Sequence, residues 1–229
     1  MTGYREPGLN LEGMEPIPRE GTAAIIAERI REAITGGRFR AGDQLAEATL
    51  AAAFGVSRGP VREATQRLLQ EGLLRSEPNR GVFVISLDES DIRDVYEARG
   101  VVEQAALVRL LRAGDDRALA ELRRCVDEMR RGAARGDAAT VVRWDLEFHT
   151  ALTLAAGSPR LTRMFQTLLA ETRIALAAGG RRQLDAAVVE EHASILDALA
   201  AGDRRLALRE VERHMRSGIS RRIRTVPRD

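Results

Sequence analysis

The three histidines of this 229-residue chain and one of its aspartates are spaced so that they could hold a metal ion. Asp145 and His149 are four apart, so on a helix they share a face and can grip one ion together. His192 lies ten residues before Gly202 and His214 twelve after it. Ala201-Gly202-Asp203 reads as a helix break. In an antiparallel helix hairpin, residues equidistant from the turn end level with each other. One carboxylate and three imidazoles could then meet inside a helical bundle. That donor set suits a divalent ion, Zn²⁺ first, with Ni²⁺ or Mn²⁺ as alternatives. Asp145 and His149 fall in the apolar stripe of Val141, Val142, Phe148 and Leu152. His192 falls in that of Val188, Val189, Ile195, Leu196 and Leu199. A carboxylate on a buried face is costly unless it is paired or bound to a cation. His214 lies at the edge of its stripe, near Val211.

Arg99 and Glu103 sit in a third apolar stripe, with Ile92, Val95, Tyr96, Val102, Ala106 and Leu110. One reading is a plain intrahelical ion pair. The other points Arg99 into the bundle, where its guanidinium grips a ligand carboxylate through two parallel hydrogen bonds. Arg173 is a candidate helper.

These groups need helices to hold them. From residue 90 onward the periodicity is helical, in six segments: 90–113, 116–134, 138–156, 159–178, 184–201 and 203–224. Glycine, often followed by aspartate, marks most of the breaks. Before residue 87 the pattern differs. Residues 22–35 read as a helix ended by Gly36-Gly37. Ala46–Phe54 is a short second helix stopped by Gly55. A third starts after Ser57, a natural N-cap, and carries Pro60 in its first turn. Two β-prone runs, Leu73–Ser76 and Val82–Ile85, flank the turn residues Pro78-Asn79-Arg80-Gly81. Asp88 or Ser90 caps the first helix of the long helical region. The expected division is a flexible arm over 1–20, a winged-helix domain over 21–86 and an all-helical domain over 90–225. The expected fold class is mainly α, a winged helix-turn-helix followed by a six-helix bundle.

Composition narrows the function. No run of about 20 apolar residues is present, so no membrane-spanning helix is expected. The first twenty residues lack the apolar core of a signal peptide. A single cysteine, Cys125, fits a reducing cytoplasm. Every one of the 36 basic residues is Arg, but the net charge is only +2. DNA affinity must therefore come from where charges are placed. Aromatics make up 3% of the chain, too few for base-stacking platforms that bind single strands.

Residues 46–71 have the layout of a helix-turn-helix, with small Ala51 between the helices, Gly55 in the turn and Val61 anchoring the second helix. Arg62, Gln66 and Arg67 lie away from the apolar stripe, with Arg58 at its edge beside Ser57 near the helix N-terminus, the end that faces bases in this motif. Arginine there suits guanine O6/N7 or phosphate. Arg80 and Gly81 form the tip of a wing. The stretch GDQLAEATLAAAFGVSRGPVREATQRLLQEGLLRSEPNRGVFV resembles the winged-helix domain of GntR-type bacterial transcription regulators. The resemblance implies operator contacts by Arg58 and Arg62, with Gly81 at the wing tip. Thr65 stands where that family usually has Leu, and Ala48 near where fatty-acid-responsive members carry an Arg. Residues 90–225 resemble the FCD ligand domain of the FadR branch. Asp145, His149, His192 and His214 match its metal-ligand pattern, and six helices point to the VanR-like subgroup. In that family the arginine corresponding to Arg99 is associated with the effector pocket.

The expected function is a cytoplasmic, homodimeric regulator that binds double-stranded operator DNA and answers to a small carboxylate effector. Dimerisation doubles a contact too short for specificity alone. The rival is a metal-dependent hydrolase with an appended winged helix, using Glu190 or Glu191 as general base. Four protein ligands saturating the ion, and the lack of an evident nucleophile, weigh against it.

Overall fold

A computed structural model describes residues 21–178 and 186–223; the arm expected over 1–20 lies outside them. The first unit holds α1 (Thr22–Thr35), α2 (Glu47–Phe54), α3 (Arg58–Gln70), β1 (Leu74–Glu77) and β2 (Gly81–Val84). Ile26, Ile30 and Ile34 recur along one face of α1 and meet Leu50 and Ala51 of α2 and Val61, Ala64 and Leu68 of α3 in one buried cluster. Fully burying each large aliphatic side chain contributes about 1.5–3 kcal/mol. Gly55 ends α2 in the left-handed region at φ 67°, which lets the chain turn at once into α3. Ser57 occupies the N-cap position of α3, but its hydroxyl makes no capping bond. The two strands pair antiparallel, with Leu74 opposite Val84 and Glu77 opposite Gly81. Asn79 at φ 61° and Gly81 at φ 103° make the turn. Gln44 Nε2 donates to the Arg80 carbonyl at 2.5 Å and pins the wing tip to the body.

Asp88 opens the second unit with a capping box. The Asp91 N–H donates to the Asp88 carboxylate at 2.9 Å, and the Asp88 N–H to the Asp91 carboxylate at 3.0 Å. Six helices follow: α4 (Glu89–Ala113), α5 (Asp116–Ala134), α6 (Ala138–Ala155), α7 (Pro159–Ala178), α8 (Ala186–Ala200) and α9 (Arg204–Ile223). Their common core includes Leu107, Leu122, Met129, Phe148, Ile195 and Val211. α4 and α9 approach closely at Gly218, where an added Cβ would collide with the Tyr96 ring.

Helix α7 joins the two units. Ile174, 3% exposed, is a member of the first unit's core, with Ala170 packed against the same cluster. Ala175, one residue on, belongs to the core of the second. Arg31 of α1 is clamped to Glu71 at 2.8–3.0 Å, and the Glu171 side chain lies over Gly72. The two cores are thus in mechanical contact through one helix. No helix among the described residues is long and apolar enough to cross a membrane.

Candidate metal centre and DNA-reading face

Asp145 and His149 project from α6, His192 from α8 and His214 from α9. All four are buried, and one ligand atom from each lies within 4.8 Å of the others. The outer nitrogen of every ring is engaged. His149 Nδ1 is 2.6 Å from Glu103 Oε2, His192 Nδ1 is 2.8 Å from the Val188 carbonyl, and His214 Nδ1 is 2.8 Å from Glu191 Oε2. Carboxylate and carbonyl oxygens only accept here, so each Nδ1 carries the proton and donates. Burial pushes the His192 imidazole down to about 3, and it lowers His214 as well. In a neutral ring protonated at Nδ1, Nε2 bears a lone pair. The three Nε2 atoms nevertheless face one another, His149 to His214 at 3.1 Å and His192 to His149 at 3.2 Å. Asp145 Oδ1 stands 3.3 Å from His192 Nε2.

With all three rings neutral, three lone pairs and a carboxylate converge with no donor among them. Neutral protein groups cannot stabilise that arrangement, whereas a cation at the centre can. The residues therefore fit a divalent ion of the Zn²⁺ type, held by three imidazole nitrogens and one carboxylate oxygen. The outer hydrogen bonds fix ring tautomer and orientation, as ligand histidines require.

Glu103 couples this cluster to Arg99. Its Oε1 accepts from Arg99 Nε at 3.1 Å and Nη2 at 2.9 Å, while Oε2 takes the proton of His149. Burial raises the Glu103 carboxyl, but the hydrogen bond from His149 Nδ1 and the charge of Arg99 outweigh it and hold it at about 2. Arg99 is 2% exposed; its Nη1 donates to Thr172 Oγ1 of α7 at 3.3 Å. Tyr96 and Phe165 lie beneath the guanidinium at 5.2 and 5.8 Å. The intrahelical pair considered for Arg99 and Glu103 is therefore present, and the same arginine points into the bundle.

Arg173 follows Thr172, the residue whose hydroxyl accepts from Arg99. It stands on the α7 face toward the first unit, where burial and then Arg31 lower its pKa, against Glu28, Glu147 and Glu71. Glu191 does not serve as a free base beside His192. It holds His214 and is itself clamped by Arg221 Nη1 and Nη2 at 2.8 Å each. The sequence signal for Glu191 was its place three after Val188 and four before Ile195, both buried. The link from Glu103 to His149 depends on how α4 packs on α6 and left no local signal.

On the first unit, Ser57, Arg58, Arg62 and Gln66 are exposed on one end of α3, as are Arg80 and Gly81 on the wing. Arg75 and Arg80 both lie over the Phe83 ring, at 5.5 and 5.3 Å, which steadies the wing's cations. Thr65 is buried and its hydroxyl donates to the Arg62 carbonyl at 3.0 Å, which explains how a polar residue fits where a Leu was expected.

Comparison with known proteins agrees with this layout. Residues 94–217 match the FCD domain, and residues 22–84 match the family described as bacterial regulatory proteins, gntR family. The chain is 31% identical to a probable D-xylose utilization operon transcriptional repressor of Paenarthrobacter nicotinovorans, covering 88% of this chain and 91% of that one. It is 28% identical to the gluconate operon transcriptional repressor of Bacillus licheniformis, over 86% of this chain and 84% of that one. Among solved structures, a GntR transcriptional regulator from Rhodococcus sp. RHA1 superposes with a TM-score of 0.76 at 30% identity, covering 90% of this chain and 99% of that one.

Proposed function

We propose, from the premise that this chain belongs to the GntR family of bacterial regulatory proteins and carries an FCD domain, that its hold on operator DNA answers to a small organic acid bound beside a divalent metal. That it is a DNA-binding transcription regulator, not an enzyme, follows from the family. The ligand, the metal and the homodimeric state are our reading. The observation that carries it is the meeting of three imidazole lone pairs and Asp145 at one point, joined through Glu103 to a buried arginine. The six helices after residue 88 support membership of the VanR-like subgroup. A DNA target fits the cytoplasmic location that we also propose.

When bound, the ion would supply positive charge and, with five- or six-coordination, a position for an oxygen ligand beyond its four protein ligands. The chain's own residues do the rest. Arg99 is a permanent cation joined to the cluster through Glu103, which neutralises it in the free protein. An incoming carboxylate competes with Glu103 for the guanidinium, and Glu103 keeps its bond to His149. Any movement of Arg99 is felt at Thr172, because Nη1 and the hydroxyl are in contact. Thr172 lies two residues from Ile174, which is embedded in the core beneath the recognition helix. The acid therefore acts by favouring one placement of the winged unit over another. A two-fold dimer then presents two recognition helices to a pseudo-palindromic site. A relative named for the gluconate operon supports a hydroxy acid; one named for D-xylose utilization marks the competing outcome, an uncharged sugar.

Metal analysis tests the foundation. Wild-type protein purified without chelator should carry close to one divalent ion per chain, and His149→Ala should carry none. No ion in the wild type, with melting unaffected by added Zn²⁺, would rule out the metal.

A further inference from the structure

Arg62 of the recognition helix does not stand free. Glu47, the first residue of α2, accepts from its Nε at 3.2 Å and from its Nη2 at 3.1 Å. The contact is side-on, along the Nε–Nη2 edge of the guanidinium. A guanidinium carries five N–H donors on two usable edges. Glu47 occupies one edge and leaves Nη1 and the outer hydrogen of Nη2 directed outward. That outer pair is the fork that matches guanine O6 and N7. The Arg62 side chain is 67% exposed and that of Glu47 28%, so the carboxylate sits behind the guanidinium relative to solvent.

We infer that Glu47 is a positioning residue for base reading: it holds Arg62 end-on to a guanine and keeps it off the phosphates. The inference rests on the reading of Arg62 as an operator contact. Two physical effects support it. An arginine on an open helix face samples many rotamers, and a bidentate partner removes most of that freedom before DNA arrives. A carboxylate on the inner edge also repels phosphate oxygens that would otherwise compete for the same arginine. Glu47 therefore lowers affinity for DNA in general and raises discrimination at one base pair. A role only in stabilising α2 would weaken binding to every sequence alike.

The experiment starts from a duplex selected by the full-length wild-type protein out of a randomised library. Affinities for that duplex, its single-base variants and an unrelated duplex are measured by fluorescence anisotropy at one salt concentration. At the base pair read by Arg62, wild-type discrimination against guanine replacement should be about 10–100-fold, the range of a good bidentate contact. Glu47→Ala and Glu47→Gln should reduce it to the level of Arg62→Ala. Both should bind the unrelated duplex as tightly as wild type or several-fold tighter. In Arg62→Ala, adding Glu47→Ala should cause no further loss of discrimination. Wild-type preference retained by both Glu47 variants would overturn the inference, and so would equal weakening on all duplexes. If Arg62→Ala itself leaves the preference intact, the operator role of Arg62 falls, and Glu47 falls with it.

Discussion

Glu103→Gln isolates the link between the metal centre and Arg99. The carboxylate is fully buried and serves two donors, Arg99 through one oxygen and His149 through the other. A glutamine has one oxygen and one NH₂. If the oxygen faces the guanidinium, the NH₂ faces the protonated Nδ1 of His149. Two donors then meet, and the ring relieves the clash by moving its proton to Nε2. That nitrogen is no longer a ligand. If the amide flips, it is the arginine that faces a donor. Either way the charge that offset Arg99 is gone. Losing the outer partner of a ligand histidine weakens metal binding about 10–100-fold, or about 1.4–2.7 kcal/mol. Leaving Arg99 buried without a counter-charge costs about 3–5 kcal/mol of stability in the stripped protein. Competition against a chromogenic chelator gives the Zn²⁺ affinity, with circular dichroism reporting that the variant is folded. Thr172→Val, which removes the hydroxyl contact to Arg99 and that hydroxyl's bond to the Leu168 carbonyl but touches no metal ligand, should keep wild-type Zn²⁺ affinity. A folded Glu103→Gln that binds Zn²⁺ within twofold of wild type would refute the reasoning.

Other outcomes are set by the same geometry. Ile174→Ala opens a cavity where α7 enters the winged core, so it should destabilise the protein by about 2–5 kcal/mol, with hydrogen exchange rising in α1 and α3; exchange rising only around α7 would count against the shared core. Arg62→Ala should cost about 1–3 kcal/mol at the operator, while Arg80→Ala should weaken all sequences and lower the slope of affinity against salt by about one unit. Gly218→Ala should cost at least about 1–3 kcal/mol in thermal unfolding because its methyl group would collide with Tyr96; an unchanged melting temperature would mean that α4 and α9 are not packed so closely.

How far the sequence reached depended on how local each feature was. The helices of both units were legible because their stripes and glycine stops are local, and α4 to α9 begin and end close to the predicted segments. The cluster of candidate metal ligands was legible for a different reason. Asp145 and His149 are fixed by one helix, and His192 and His214 by one hairpin, so only the meeting of two local units had to be assumed. The partners of those ligands were not legible. Glu103 reaches His149 across 46 residues and Glu191 reaches His214 across 23, and both contacts depend on helix rotation as well as order. The position of Ile174 in the winged core was equally hidden. An apolar stripe says that a face is buried, not in which core. Arg173 illustrates this: its helix packs into both cores, and Arg31 and Glu28 of α1 are among the charges that act on it.

The central claim is that an acid held by Arg99 beside the metal changes the grip on DNA. It is tested most directly by operator affinity of the Zn²⁺-loaded protein, measured by anisotropy while hydroxy-, keto- and aromatic acids and uncharged sugars are titrated in turn. At least one acid should shift the operator Kd severalfold or more, the sugars should not, and Arg99→Ala should bind the operator as wild type does but no longer respond. A response to the sugars alone, or an Arg99→Ala protein that answers the acid as wild type does, would contradict it.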